Sequence, residues 1–377
     1  MKLKICFLIA RFYPITGGTE LQAQRLSGTL INSGHEVFVL TARLKGLKKY
    51  EKYGSLPVFR TCTFGTGFVS SVFFCISSFL FLLRNADKYD ILHLHLASSH
   101  VFPAILIKKL LGKKIILKFG GARKTGDIQT SLLKPFGNLK LKIIKKSFDA
   151  FVVPGNEVLT EIISAGFPKD KIHLIPNGVD INIFKPVNSI DKIELRKKLN
   201  IPTGGFICIY AGRIEKGKGL DILLHSWKNM NNNIHLLIIG EGKLLKNFRS
   251  LFLQKNIRFL GFQKNINDFM AAGDLFILPS FGEGLSNAIL EAMSSGLIVL
   301  ANNIPANVDI ITNYTNGILL NFNDTGNVIS MISKICTDIK SYSKLGICAR
   351  QTATEKFSLP YIAERYFQLY KKVLDKT

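Results

Sequence analysis

The sequence predicts an α/β protein built from parallel sheets, and three observations predict it. Short apolar runs of buried-strand length recur along the chain: KICFLI at 4–9, ILHLHL at 91–96, KIILKF at 114–119, FICIYA at 206–211, LLIIG at 236–240, LFILP at 275–279 and LIVLA at 297–301. Stretches of helix-forming residues separate them, so strand and helix alternate as in crossover units. Glycines stand where strands hand over or helices stop, as at Gly17-Gly18, Gly34, Gly212 and Gly296. A length of 377 residues favours two to three domains, and 47% hydrophobic content is enough to fill their cores.

The chain opens with strand Lys4–Ile9, a loop over Arg11–Gly18, a helix Glu20–Ser33 that Thr19 is placed to cap, and strand His35–Leu40. The basic start and short apolar run superficially suggest a signal peptide. No small-residue cleavage site follows, and a first buried strand is the expectation. Gly17-Gly18 lacks the full GxGxxG pattern, which argues against a dinucleotide site. Val69–Leu83 is apolar and aromatic, interrupted by serines, and shorter than the ~20 residues of a spanning helix. It reads as a buried or membrane-surface helix.

His93 and His95 alternate onto one face of strand Ile91–Leu96, with no third metal ligand at a sensible spacing. Helix Val101–Leu111 and strand Lys114–Phe119 follow, then strand Ala150–Pro154, helix Glu157–Ala165 and the short Ile172–Ile175. Pro176-Asn177-Gly178-Val179-Asp180 and Phe184-Lys185-Pro186 close the first domain, expected over 1–186. Asn188–Thr203 is the hinge and a lead helix into the second, expected over 187–357. That domain restarts with strand Phe206–Ala211 and the loop GRIEKGKG at 212–219, then strands 236–240 and 257–261 and a brief helix at 268–272. At 279–296, PSFGEGLSNAILEAMSSG is a Gly-rich loop and a helix between two buried strands. Residues 358–377 contain a terminal amphipathic helix, Tyr361–Leu374.

Fifty Lys and Arg against 26 acidic residues give a net charge of +24, a strong field for anionic partners. The basic residues come singly or in pairs, such as Lys48-Lys49, Lys108-Lys109, Lys113-Lys114 and Lys145-Lys146, without a basic arm, a zinc-finger or an RNA-binding signature, so nucleic acid is not an expected partner. The six cysteines are scattered and lie largely in apolar runs, which fits a reducing compartment and neither a disulfide framework nor a zinc site.

The candidate chemistry lies in the loops that follow strands. Glu283 sits between Gly282 and Gly284 at the mouth of a helix, where Gly284, Leu285 and Ser286 present backbone N–H groups suited to an anion. Glu291 stands eight positions further, on the helix. By spacing alone the two carboxylates also fit a helix-terminal charge and a solvated helix face. Arg213 and Lys218 supply a planar fork and a point charge after strand 206–211, the two cation types that hold a diphosphate.

The stretch 279–301 resembles the E-x7-E signature of the retaining glycosyltransferases of family 4, group 1, and the resemblance covers nearly the whole chain. Gly212, Arg213, Ile214, Lys218 and Gly219 match its G-R-L-x-x-x-K-G motif. Gly17, Gly18 and Glu20 match its first glycine loop, and PNGVD with F-x-P matches its mid-chain motif. The resemblance implies the GT-B fold: two Rossmann-like domains facing across a cleft, with the C-terminal helix crossing back to the first. It implies an acceptor-binding first domain, a nucleotide-sugar-binding second domain, and metal-independent transfer of a hexose with no cofactor beyond the nucleotide diphosphate sugar. Donor contacts fall on Gly17, Gly18, Gly212, Arg213, Lys218, Glu283, Gly284, Leu285, Ser286 and Glu291, with Arg213, Lys218 and Glu283 catalytic. Gly120 stands where many members carry a cleft histidine, and the acceptor-side candidates are Lys118 and Asp127. Ala306 and Asp309 replace a usual glycine and glutamate.

The basic charge and the aromatic stretch 68–83 add an expected attachment to an anionic membrane, with a glycan or lipid-linked acceptor at the cytoplasmic face of a bacterial plasma membrane. The alternative from another class is a relic of the fold that binds a nucleotide sugar or a membrane partner without turnover.

Overall fold

A computed structural model describes residues 1–15, 17–123 and 126–375. The chain forms two compact units, Met1–Gly178 with Leu359–Thr377, and Val179–Ser358.

In the first unit the elements run β1 (Lys4–Leu8), α1 (Gly18–Asn32), β2 (Glu36–Ala42), β3 (Tyr50–Tyr53), β4 (Leu56–Thr61), α2 (Gly67–Arg84), β5 (Ile91–His95), α3 (Val101–Leu111) and β6 (Lys114–Lys118). Then come α4 (Asp127–Leu132), α5 (Gly137–Ser147), β7 (Ala150–Val153), α6 (Asn156–Ser164) and β8 (Ile172–Leu174). The strands make one eight-stranded sheet in the order β3-β4-β2-β1-β5-β6-β7-β8, parallel except for β3 against β4. The apolar runs read from sequence are its central strands, buried on both faces as parallel sheets require.

The second unit contains α7 (Ser189–Lys198), β9 (Phe206–Ala211), α8 (Leu220–Ser226), β10 (Ile234–Ile239), α9 (Leu245–Leu251), β11 (Ile257–Gly261) and α10 (Ile266–Ala272). It continues with β12 (Leu275–Leu278), α11 (Asn287–Ser294), β13 (Ile298–Asn302), α12 (Pro305–Val308), β14 (Ile318–Leu320), α13 (Thr325–Thr337) and α14 (Ile339–Phe357). Its six strands are all parallel, in the order β11-β10-β9-β12-β13-β14.

The last helix, α15 (Leu359–Asp375), belongs to the first unit, as expected for a C-terminal helix that crosses back. It buries Leu359, Ile362, Ala363, Tyr366, Leu369, Tyr370 and Val373, a three- and four-residue spacing that lays one stripe on α1 and the sheet core. Each large side chain so buried contributes about 1.5–3 kcal/mol relative to exposure.

The expected boundary after residue 186 moves to 178–179. Phe184 lies in the core of the second unit, Arg350 Nη1 donates to its carbonyl at 2.8 Å, and Arg350 Nη2 donates to that of Ile181 at 3.0 Å. Val179 and Ser358 also bridge within that unit. The segment 179–186 therefore opens the second unit.

Candidate active site

In the second unit the strand order reverses between β9 and β12, since β10 lies on one side of β9 and β12 on the other. Ligands of open α/β sheets sit at such a switch point, beyond the carboxyl ends of the strands. Gly212, Arg213 and Lys218 follow β9, and Glu283 to Ser286 follow β12, so the fold brings these expected donor residues to one place, while Gly17 and Gly18 lie in the first unit.

Backbone geometry holds the two loops together. Gly219 adopts φ +68°, and a Cβ there would overlap the carbonyl oxygen of Pro279. Phe281 N–H donates to the Gly217 carbonyl at 3.1 Å. The loop after β10 joins them: Gly240, at φ +139°, lies against the Gly212 carbonyl, and Ile214 N–H donates to the Glu241 carbonyl at 2.8 Å. Gly219→Ala should cost roughly 1–3 kcal/mol in strain alone, and it pushes the two loops apart. The expected outcome is a lower melting temperature together with weaker nucleotide binding; a variant as stable and as active as wild type would contradict this loop contact.

On this frame the Lys218 ammonium donates to Glu283 Oε1 at 2.8 Å, with both side chains mostly buried. An ammonium has three donors, so an incoming anion can share Lys218 with Glu283. Arg213 lies 3.3 Å from Glu215, its side chain 68% exposed and open to a ligand. Its carbonyl accepts from the buried Tyr210 hydroxyl at 3.0 Å. Ser286 caps α11, its hydroxyl accepting from Ile289 N–H at 3.3 Å, and Leu285 is buried beside it. Glu291 is 6% exposed, which rules out the solvated-face reading.

The sequence reading missed Tyr210 and Asn302. Asn302 Nδ2 donates to the Ser280 carbonyl at 3.2 Å while its Oδ1 accepts from Phe322 N–H, so it positions the loop that carries Glu283. Its signal was a polar residue closing an apolar strand. Tyr210, an aromatic within a strand, gave none.

In the first unit Gly17 and Gly18 begin α1, with Gly17 extended at the N-cap and no side-chain cap. The acceptor-side candidates turn inward. Asp127 is buried; its two carboxylate oxygens accept from Ala97 N–H at 2.6 Å and Gly120 N–H at 2.8 Å, tying the loop after β5 to the loop after β6. Burial keeps its pKa above the usual carboxylate range despite those two donors. A Cβ at Gly120 would meet the end of the Leu96 side chain, so a larger residue there requires Leu96 to move.

Lys118 lies opposite His95 in the sheet, 5% exposed. Its ammonium donates to Asn177 Oδ1 at 3.0 Å and stands 5.6 Å from the Tyr366 ring centre. His93 and His95 are fully buried, His93 beneath α15 with its Nδ1 2.6 Å from the Tyr370 hydroxyl, and burial holds both rings well below the ordinary histidine pKa. Among the described residues no group of three His, Cys, Asp or Glu is placed to hold a metal.

Burial lowers the Lys118 pKa from 10.5 to about 7. The unfolded chain then binds more protons between those two values, so this lysine destabilises the fold most at low pH and progressively less as pH rises through that window. Lys118→Met should raise the melting temperature near pH 6 and lose that advantage by pH ~10.5. An equal shift at all pH values would contradict a charged, buried Lys118.

Two family models match: "Glycosyltransferase Family 4" over residues 16–183 and "Glycosyl transferases group 1" over 191–352. The N-acetyl-alpha-D-glucosaminyl L-malate synthase of Bacillus anthracis is 24% identical, over 99% of this chain and 98% of its own. The UDP-Gal:alpha-D-GlcNAc-diphosphoundecaprenol alpha-1,3-galactosyltransferase of Escherichia coli is 26% identical over 77% of each chain. Among solved structures, Anabaena HepE in complex with UDP and glucose superposes with a TM-score of 0.79 at 18% identity, covering 98% of this chain and 100% of that one. Sucrose-phosphate synthase from Thermosynechococcus elongatus gives 0.82 at 17% identity, covering 99% and 100%.

Proposed function

The chain belongs to the group 1, family 4 glycosyltransferases and has their GT-B fold, and from that premise we propose that it moves a hexose, with retention of configuration, from a nucleotide diphosphate sugar to a hydroxyl of a lipid-linked glycan. The second unit is the donor-binding unit in this reading and the first is the acceptor-binding unit. The observation that carries it is the meeting of Arg213, Lys218 and Glu283 at the switch point of the second sheet, with Lys218 and Glu283 2.8 Å apart.

The reaction breaks the bond between the anomeric carbon and the diphosphate oxygen, and the bonding pair leaves with the diphosphate. Arg213 and Lys218 stabilise that developing charge, commonly the largest single catalytic contribution. Glu283 accepts hydrogen bonds from the sugar hydroxyls, and Glu291 from the ribose. The acceptor oxygen bonds to the anomeric carbon on the face the diphosphate leaves, and its proton passes to the departing diphosphate oxygen. With two side-chain cations serving the leaving group, EDTA should leave turnover within about twofold, a small change beside the tenfold that ~1.4 kcal/mol of barrier represents; abolition of turnover by EDTA and its rescue by a divalent ion would overturn metal independence.

One relative motivates the acceptor class in this reading. The Escherichia coli enzyme acts, by its name, on a diphosphoundecaprenol-linked sugar, and we extend that class of acceptor to this chain, placing the protein peripherally on the inner face of a bacterial plasma membrane. The test is turnover of UDP-, GDP- and ADP-sugars with a detergent-dispersed polyprenyl diphosphate sugar, followed by NMR of the new linkage. Transfer with the donor's anomeric configuration kept supports the reading, and an inverted product overturns retention. Release of no nucleoside diphosphate from any donor would favour a binding relic.

A further inference from the structure

The first unit leaves an apolar face uncovered. On α2, Val69, Phe73, Ile76, Leu80 and Leu83 follow one another at three- and four-residue spacing, all exposed, with Phe68 beside them at 83%. The neighbouring α3 adds Phe102, Leu106 and Leu110 at four-residue spacing, also exposed. A contiguous face of this kind exceeds the single apolar residues that soluble surfaces scatter. No charged residue interrupts α2 before Arg84 at its last position.

By length and composition this 18-residue helix is sufficient to cross a membrane, more than the sequence reading allowed. Its setting argues against crossing. β4 before it and β5 after it are strands of one sheet, and Phe74, Ser78 and Leu82 are buried against the unit. Both ends of α2 are thus held by the same folded body, which favours a helix lying in the interface plane.

The apolar row ends at a cavity. It is an open depression of about 300 Å³ lined by Arg43, Lys49, Arg60, Arg84, Ser77 and Leu80, among others. Arg60 is committed within the fold, donating to Glu51 at 2.5 Å and to the Tyr13 carbonyl at 2.7 Å. Arg43, Lys49 and Arg84 have no carboxylate partner among the described residues. Elsewhere the expected basic pairs are partly spent internally, as Lys108 is on Asp149 at 2.6 Å and Lys113 on Asp90 at 3.6 Å. The uncommitted charge of Arg43, Lys49 and Arg84 stands where the apolar row ends. Apolar insertion and an adjoining cationic site are the two signals that together give stable but reversible attachment.

We propose that α2 and α3 insert into one leaflet of an anionic bilayer and that the Arg43–Lys49–Arg84 cavity takes the phosphate of an anionic phospholipid headgroup. The proposal deepens the membrane part of the function above and is independent of the sugar chemistry.

The test is co-sedimentation of the full chain with vesicles of phosphatidylcholine alone and with rising phosphatidylglycerol. Binding should rise with the anionic fraction and fall with salt, because surface charge is screened within a Debye length. Arg43→Gln and Arg84→Gln should each lower affinity for anionic vesicles roughly fivefold, the worth of one cation at such a surface. Ile76→Asp should abolish insertion while thermal unfolding and nucleotide binding stay unchanged. Binding no better to anionic than to neutral vesicles would overturn the proposal. So would binding of inorganic phosphate that Arg43→Gln and Arg84→Gln abolish without any loss of vesicle affinity, which would make the cavity a site for a soluble ion, or an Ile76-dependent dimer without vesicle binding, which would make the face a contact between copies. Loss of vesicle binding with donor turnover intact would leave the transfer reaction standing, so the two readings fail separately.

Discussion

Arg213→Ala and Lys218→Ala are each expected to cut turnover of the preferred nucleotide sugar by about 10²–10³-fold, the loss seen when one donor to a developing oxyanion is removed. Both side chains sit on a loop fixed by backbone contacts at Gly219, Gly217 and Gly212, so either truncation removes charge without releasing the loop. Arg213 is mostly exposed and contributes little to stability. Lys218 is different: its removal leaves Glu283 in a mostly buried setting without its cation. Lys218→Ala should therefore lower the melting temperature as well as the rate, and Lys218→Ala with Glu283→Gln should recover stability without recovering rate. Because the two cations act on one diphosphate, the double variant Arg213→Ala with Lys218→Ala should fall short of the product of the single losses. Steady-state release of nucleoside diphosphate measures all of this, and wild-type rates in both single variants would refute the donor assignment.

The second large effect separates the two glutamates. Glu283→Gln should lower kcat with the intact sugar donor and leave the affinity for free nucleoside diphosphate nearly unchanged, because its proposed partner is the sugar. Glu291→Ala should weaken free nucleotide itself, by the ~1.5–3 kcal/mol typical of a hydrogen bond to a charged group. Glu291 is 6% exposed, so its carboxylate is held by the protein and not by bulk solvent. Equal losses of free-nucleotide affinity in the two variants would contradict this division of roles.

Much of this was legible in the sequence, for identifiable reasons. The central strands of both units are apolar runs because a parallel sheet buries both faces, and that leaves a continuous signal at 206–211, 275–278 and 298–302. The loops that carry Arg213, Lys218 and Glu283 were found because glycines punctuate them.

Other features depend on partners distant in sequence. The β3–β4 hairpin escaped notice because YEKY at 50–53 is a charged, largely exposed edge strand, as edge strands commonly are. The boundary at 178–179 depends on Phe184 finding the second core and Arg350, some 166 positions on, reaching its carbonyl. Asp127 looked available for an acceptor because nothing in its neighbourhood announced that Ala97, 30 positions earlier, would donate to it. The Lys218–Glu283 pair, 65 positions apart, likewise became visible only once β9 and β12 were neighbours.

The most direct test of the central claim is thermal unfolding of the full chain against a panel of UDP-, GDP- and ADP-sugars, run in parallel on wild type, Arg213→Ala and Lys218→Ala. One nucleotide series should stabilise the wild type, by about 2.7 kcal/mol at a hundredfold its Kd, and both variants should lose most of that shift at the same concentration. Stabilisation that is undiminished in both variants, or absent from every member of the panel with wild type, would contradict a donor site built on Arg213, Lys218 and Glu283.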